Sequence, residues 1–244
     1  MKNEVSKKSL SLIIPAHNAE HIIEKSIIEY NEIFSHFDNF EIIIVCNACS
    51  DDTLGVSKKL AEKYPIKIIY IPNRGKGNAL ISGFKLAQYD IMGFLDVDNP
   101  FGSDRILDMI DNIHNNKCDL AIATKYLKGS LKSKKGVQDS QLRRIIALGG
   151  QIFSRFIFNM KFRDTQAGAK FLRKSVWQSI NKNLICVGFD FDIELLYKSK
   201  KRGFKIAEFY TPLEKYEAFS TVRTRYLAGM VYRLIKLRFF NLIK

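Results

Sequence analysis

Residues 41–54 read Glu41-Ile42-Ile43-Ile44-Val45-Cys46-Asn47-Ala48-Cys49-Ser50-Asp51-Asp52-Thr53-Leu54. A β-branched run gives way to small and polar residues, and from Asp51 to Tyr64 the spacing is helical. A short run that is apolar throughout marks a strand buried on both faces. The same unit recurs on either side. Leu10–Ile14, Ile66–Ile71, Ile91–Leu95 and Leu120–Ala123 read as further strands, and Ala19–Ser35, Gly77–Ala87 and Ser103–Asn115 as helices. Ser103 is the expected N-cap of the last of these, with Asp104 favourable in its first turn. This alternation predicts an α/β fold with a mostly parallel central sheet and helices on both faces. Ligands of such sheets bind beyond the C-terminal ends of the strands.

The residues that follow each strand are therefore the candidates for chemistry. They are Pro15-Ala16-His17-Asn18, Cys46-Asn47-Ala48-Cys49-Ser50-Asp51-Asp52-Thr53, Asn73-Arg74-Gly75-Lys76-Gly77-Asn78 and Asp96-Val97-Asp98-Asn99. Polar, small and charged residues thus gather on one rim. Asp96 and Asp98 stand at alternate positions where an apolar strand ends. Two such carboxylates suit Mg²⁺ or Mn²⁺, which would neutralise a diphosphate leaving group. The other reading of an Asp-x-Asp is a solvated strand end. Asn73 to Gly77 offers backbone N–H groups and two cations before a helix, a phosphate-binding arrangement or a plain Gly-rich turn. It lacks Walker A spacing. Cys46-x-x-Cys49 has the spacing of a redox pair, but Asp51 and Asp52 disfavour a thiolate, and two small buried thiols fit better.

The chain has 244 residues and a formal net charge of +14. Hydrophobic residues make up 46% and aromatics 12%, which excludes a disordered or low-complexity chain and provides for a large core. The charge is uneven. Residues 1–124 carry 13 Lys+Arg against 17 Asp+Glu, and residues 125–244 carry 26 against 8. A basic second half calls for an anionic partner: nucleic acid, lipid head groups or phosphorylated ligands. Lys125 to Ser140 reads as a loop with lysine-rich stretches, Gln141–Phe162 as a helix carrying Arg143 and Arg144, and Lys205–Phe209 as a strand. Tyr226 to Ile243 interleaves Leu227, Met230, Val231, Leu234, Ile235 and Phe239 with Arg233, Lys236 and Arg238. It is too short and charged to span a bilayer; it either lies in a membrane interface or packs on the domain. The short apolar run at the start is no signal peptide, so the expected location is cytoplasmic. Four cysteines are too few for a disulfide framework.

Taken in order, these motifs resemble glycosyltransferase family 2, inverting sugar-nucleotide enzymes of the GT-A (nucleotide-diphospho-sugar transferase) fold. The residues that carry the resemblance are Ile14-Pro15-x-x-Asn18-x-Glu20, Asn47-x-Cys49-Ser50-Asp51-Asp52-Thr53, Asn73-x-Gly75-Lys76-Gly77-x-Ala79 and Asp96-x-Asp98. In the second half, Asp164-Thr165-Gln166-Ala167-Gly168-Ala169-Lys170 and Phe189-Asp190-Phe191-Asp192-Ile193-Glu194-Leu195 resemble segments of dolichyl-phosphate glucosyltransferases. Polyprenyl-phosphate mannosyltransferases share the layout.

The resemblance, which covers about residues 9–215, implies a catalytic domain over residues 1–215 and a basic amphipathic tail over 216–244. Residues 9–124 would bind the sugar nucleotide and residues 125–215 the acceptor. Asp96 and Asp98 would hold Mg²⁺ or Mn²⁺. Pro15, Ala16, Asn18, Glu20, Asn47, Asn73, Lys76, Gly77 and Val97 would line the nucleotide-sugar site. Lys125, Arg143 and Arg144 would bind the acceptor phosphate, and Asp164 and Gln166 would face the sugar and acceptor. The implied reaction moves a hexose from UDP-glucose or GDP-mannose to dolichyl or polyprenyl phosphate. It would run at the cytosolic face of a membrane, by a peripheral protein acting alone or with a membrane-spanning partner, and without nucleic acid. Three positions depart from the family pattern: Cys46-Asn47 replaces the usual acidic pair, Lys125 stands where an arginine is usual, and Pro100 stands where mannosyltransferases often carry a glutamine near the metal.

Three other readings stand beside this one. A transferase acting on a glycan or protein hydroxyl would need a general base, for which Asp190, Asp192 and Glu194 are the candidates. A nucleic-acid-binding domain would account for the charge but not for Asp96 and Asp98. A catalytically inactive membrane scaffold would keep the fold and lose turnover.

Overall fold

The computed structural model describes residues 7–98, 100–126, 156–212 and 227–240. Seven strands form one sheet: β1 (Ser9–Ala16), β2 (Asn39–Asn47), β3 (Ile66–Ile71), β4 (Ile91–Leu95), β5 (Leu120–Thr124), β6 (Ala169–Arg173) and β7 (Ile206–Tyr210). The helices are α1 (Ile23–Phe34), α2 (Thr53–Ala61), α3 (Lys76–Leu86), α4 (Ser103–His114), α5 (Lys174–Ile180), α6 (Phe191–Lys201) and α7 (Leu227–Phe240).

The strand order is β3-β2-β1-β4-β6-β5-β7. All neighbours are parallel except β6, which runs antiparallel to both β4 and β5. The predicted, mostly parallel sheet is thus present, with one reversed strand that has no counterpart among the expected elements. The reversal matters for the site. Leu95 pairs with Ala169 and Ile122 with Lys170. The start of β6 therefore lies beside the ends of β4 and β5, and residues 164–168 are delivered to the same rim as Asp96.

The two faces of the sheet bury separate apolar layers. Leu12, Ile14, Ile42, Ile44 and Phe171 pack with Ile23, Ile27, Tyr30 and Phe34 of α1 and Ile106, Met109 and Ile113 of α4. Ile13, Ile43, Val45, Met92, Phe94 and Leu172 pack with Leu80 and Phe84 of α3, Trp177 of α5 and Phe191, Leu195 and Leu196 of α6. Each fully buried Ile, Leu or Phe contributes roughly 1.5–3 kcal/mol. Leu234 and Leu237 of α7 join this second layer. The C-terminal segment therefore packs on the domain through one face.

Several boundaries differ from the sequence reading. Helix α1 begins at Ile23, because Ala19 is held in a turn by Thr53 Oγ1, which accepts its N–H at 2.7 Å. Gly102, in extended backbone, is the N-cap of α4, and Ser103 is already helical. Of the helix expected over Gln141–Phe162, residues 156–158 are helical and Asn159, at φ 48°, ends the turn; the part before residue 156 lies outside the described residues.

Candidate active site

The rim is built first from two loops that cross-brace each other. Asn18, in the left-handed region at φ 51°, donates from Nδ2 to Ser50 Oγ at 2.9 Å and accepts the Ser50 N–H at 2.8 Å. Glu20 Oε2 accepts the Asp52 N–H at 2.7 Å, and Asp51 accepts the Glu20 N–H at 3.1 Å. Burial works to raise the Asp51 pKa, but hydrogen bonds from Thr53 and from the Glu20 N–H outweigh it and hold it low. Asn18 and Glu20, expected to line a nucleotide pocket, thus brace these two loops against each other.

Asn47 ties the third loop in. With its amide oriented so that both ends are satisfied, it donates to Ala16 O at 2.8 Å and accepts the Gly75 N–H at 3.2 Å. The His17 ring N–H donates to Asn47 O at 2.8 Å. Pro15 is half-buried at the end of β1, and Asn73 is exposed on the loop before α3. Cys46 is buried and free, and its pKa is pushed up by its hydrogen bond with Cys49 and by burial.

The start of α3 differs from a phosphate cradle. The Gly77 N–H donates to Gly188 O at 3.1 Å, and the Asn78 N–H to Val187 O at 3.0 Å. Gly75 sits at φ 137°, and a Cβ on Gly77 would fall 2.7 Å from Cys186 O. These glycines let the loop before α6 close onto α3, and the N–H groups of Gly77 and Asn78 are spent on that contact. What this turn presents to the rim is Lys76.

Asp96 and Asp98 follow β4, half-buried on either side of Val97. Their backbone is pinned from α1: Tyr30 Oη donates to Asp96 O at 2.6 Å, and Ser26 Oγ donates to Val97 O. From the other side the Asp96 N–H donates to Gly168 O at 2.9 Å. A Cβ on Gly168 would overlap Asp96 Oδ2, so only glycine leaves that carboxylate its place.

Beneath Asp96 lies a buried charge cluster. Lys76 Nζ is 2.8 Å from Asp96 Oδ1 and 3.7 Å from Asp192 Oδ2. Lys170 Nζ is 2.7 Å from Asp192 Oδ1 and donates to Ala167 O at 2.8 Å. Both ammonium groups lie over the Phe94 ring, at 4.9 and 5.4 Å from its centroid. Burial disfavours the Lys76 charge, but the carboxylates of Asp192 and Asp96 outweigh it and raise its pKa. For Lys170, burial dominates and lowers it.

The part of the rim expected to face the acceptor is partly described. The Gln166 N–H donates to the buried Asp164 Oδ1 at 3.1 Å, while Gln166 Nε2 donates to Phe189 O at 3.4 Å. Lys125 lies over the Tyr126 ring at 5.6 Å. Arg163 anchors this corner, with Nε 3.3 Å from Glu208 Oε2 and a guanidinium N–H donated to Tyr126 O. Arg143 and Arg144 lie outside the described residues.

The three carboxylates considered as a general base are poorly placed for one. Asp190, Asp192 and Glu194 are at most 1% exposed. Asp190 pairs with Arg233 at 2.5 Å, Asp192 with Lys170, and Glu194 accepts the Ile185 and Cys186 N–H groups and pairs with Lys198 at 2.9 Å. They hold α6 and its neighbours in place. Sequence reasoning did not single out Tyr30, Ser26, Gly168 or Arg233 as residues that shape the rim. Gly168 sits inside a quoted motif, and the others carry no local signal.

A divalent cation fits this rim as half a site. Among the described residues no group of three or more His, Cys, Asp and Glu side chains could hold a metal. Asp96 and Asp98 supply two carboxylates, and Asp96 already holds a cation, the Lys76 ammonium. The remaining ligands would have to be diphosphate oxygens and water, the usual way Mg²⁺ is bound beside phosphates.

A family model, "Glycosyl transferase family 2", matches residues 11–180. The chain is 31% identical over 201 residues to a dolichol-phosphate mannosyltransferase of Pyrococcus furiosus, covering 78% of this chain and 53% of that protein. It thus spans about half that relative's length. It is 29% identical over 258 residues to a dolichyl-phosphate beta-glucosyltransferase of Dictyostelium discoideum, covering 94% and 78%. Among solved structures, glucosyl-3-phosphoglycerate synthase of Mycobacterium tuberculosis with UDP superposes with a TM-score of 0.69 at 17% identity, covering 95% and 80%. Other crystals of that enzyme hold UDP with Mn²⁺ or Mg²⁺. The α/β fold is that of the GT-A glycosyltransferases, and with the family model spanning 11–180 the chain belongs to glycosyl transferase family 2.

Proposed function

We propose that the protein transfers a hexose from a nucleotide-diphosphate sugar to dolichyl or polyprenyl phosphate, inverting the anomeric centre. The observation that carries this reading is the state of the inner carboxylates. Asp190, Asp192 and Glu194 are all buried and paired, so none is poised to deprotonate a hydroxyl acceptor. A lipid phosphate needs no such base, because it is already an anion at pH 7. Catalysis then rests on positioning and on stabilising the departing diphosphate. The relatives named above bear on the same acceptor, and they differ in the sugar.

Asp96 and Asp98 would hold a divalent cation, whose charge would neutralise the departing diphosphate. Tyr30, Ser26 and Gly168 keep the two carboxylates in place. Asn18, Glu20 and Asn47 hold the nucleotide wall rigid, and Lys76 brings a cation to the diphosphate end. Residues 125–215 take the acceptor, with Lys125, Arg143 and Arg144 for its phosphate and Gln166 beside the sugar.

Approach to the lipid follows from α7. Arg233 turns inward to Asp190 and Arg238 donates to Ile157 O at 3.0 Å, while Tyr232 and Phe239 remain exposed. That apolar face, on the basic half of the chain, suits the interface of an anionic membrane. No helix among the described residues is long and apolar enough to cross one. The configuration of the product tests the reading. An α-linked donor should give a β-linked lipid-phosphate sugar by NMR coupling, and an α-linked product would contradict direct displacement.

A further inference from the structure

We infer that Lys76 is the counter-ion of Asp96 in the metal-free protein, and that Asp192 receives it when a divalent cation binds. This deepens the proposed function and rests on Asp96 and Asp98 being the metal ligands.

Asp192 Oδ2 is buried and has no hydrogen-bond partner among the described residues. An orphaned carboxylate oxygen inside a protein is costly and calls for an explanation. Lys76 Nζ lies 3.7 Å from it, beyond hydrogen-bond distance, and sits instead at 2.8 Å from Asp96 Oδ1. A shift of Nζ of about an ångström, well within the reach of a flexible four-carbon stem, exchanges one carboxylate for the other. Lys170 holds the opposite oxygen of Asp192 at 2.7 Å and so keeps Oδ2 turned toward Lys76.

A reason for the exchange lies in the charges. A dication and an ammonium on the same carboxylate repel each other, and in a partly buried site that repulsion is only weakly screened. Without an alternative partner, Lys76 would compete with the metal for Asp96. With Asp192 next to it, the lysine moves aside, keeps its charge paired and remains close enough to meet the diphosphate. Asp192 thus acts through Lys76 as a positioning residue, and no bond is made or broken.

The test is a titration of the full chain with Mn²⁺, read by the loss of the free-ion EPR signal, in buffer alone and with UDP. Folding of each variant is checked by circular dichroism. Lys76→Met should bind Mn²⁺ at least threefold more tightly than wild type without nucleotide. Asp192→Asn should bind it at least threefold more weakly, since the lysine then stays on Asp96. In the Lys76→Met background, Asp192→Asn should have no further effect. A purely additive electrostatic role for Asp192 would instead weaken binding equally in both backgrounds, and that result overturns the inference. Should Asp192→Asn fail to fold, Lys76→Met decides the matter: unchanged or weaker Mn²⁺ binding overturns it. If wild type binds no Mn²⁺ with or without UDP, the reading of Asp96 and Asp98 as ligands fails and takes the inference with it.

Discussion

The hydroxyl of Tyr30, in the middle of α1, donates to the backbone carbonyl of Asp96 across 2.6 Å. The ring is fully buried, so the bond is fixed by packing as well as by its own geometry. Tyr30→Phe keeps the ring and removes the donor. The expected cost is about 1 kcal/mol in stability, read from urea unfolding. The larger effect should be on turnover, roughly tenfold in kcat/KM, because the carboxylate-bearing loop loses its register. Unchanged kinetics would mean that the bond serves stability alone.

Gly168 faces Asp96 so closely that any Cβ would overlap Oδ2. Gly168→Ala should leave the sheet intact, since the residue just precedes β6 and no left-handed backbone is required there. Binding of UDP with Mn²⁺, followed by calorimetry, should weaken at least tenfold, with a small change in Tm. Equal binding would show that Asp96 has room to move.

At the opposite end of the strands, Glu41 gathers Ser11 Oγ at 2.6 Å, the Gln88 N–H at 2.9 Å and Lys67 at 2.8 Å. Burial works to raise its pKa, but these partners outweigh it and hold the carboxyl below its ordinary value. A depressed folded pKa means stability that is present above the unfolded value, near 4.3, and lost as pH falls through the folded one. Glu41→Gln should therefore cost about 2 kcal/mol at pH 7, and the gap to wild type should shrink below pH ~4. Urea unfolding across that range checks it; a gap independent of pH would contradict the charged-state account.

Arg233 of α7 grips the fully buried Asp190 at 2.5 and 3.3 Å. Arg233→Met would leave an uncompensated charge inside the protein, at a cost of about 3 kcal/mol. Adding Asp190→Asn should recover part of that loss, because an amide there carries no charge. If Arg233→Met loses under 1 kcal/mol, another contact anchors α7.

Much of this fold could be read from the chain, and the exceptions have physical causes. Strands β1, β2, β4 and β5 are apolar because both faces are covered, so their runs are visible in isolation. β6 is only Ala169–Arg173, with Lys170 as its second residue. A buried lysine makes sense only beside Asp192, 22 positions away, and nothing local announces that pairing. The rim residues Asp96, Asp98 and Lys76 were legible because they follow strands. Asp190, Asp192 and Glu194 looked like candidate bases, and burial, a property of the packed whole, shows them to be struts. The α3 turn has the residues of a phosphate cradle, but the 187–188 carbonyls occupy the N–H groups of Gly77 and Asn78, a pairing set by residues more than a hundred positions away.

The proposed function is metal-dependent transfer to a lipid phosphate through Asp96 and Asp98. Radiolabelled UDP- and GDP-sugars incubated with polyprenyl phosphate in detergent, with Mn²⁺ or EDTA, test it most directly. Labelled lipid that forms only with metal, and that disappears in Asp98→Ala, is the predicted result. Equal product in EDTA, or no lipid product from any donor by the folded protein, would contradict it.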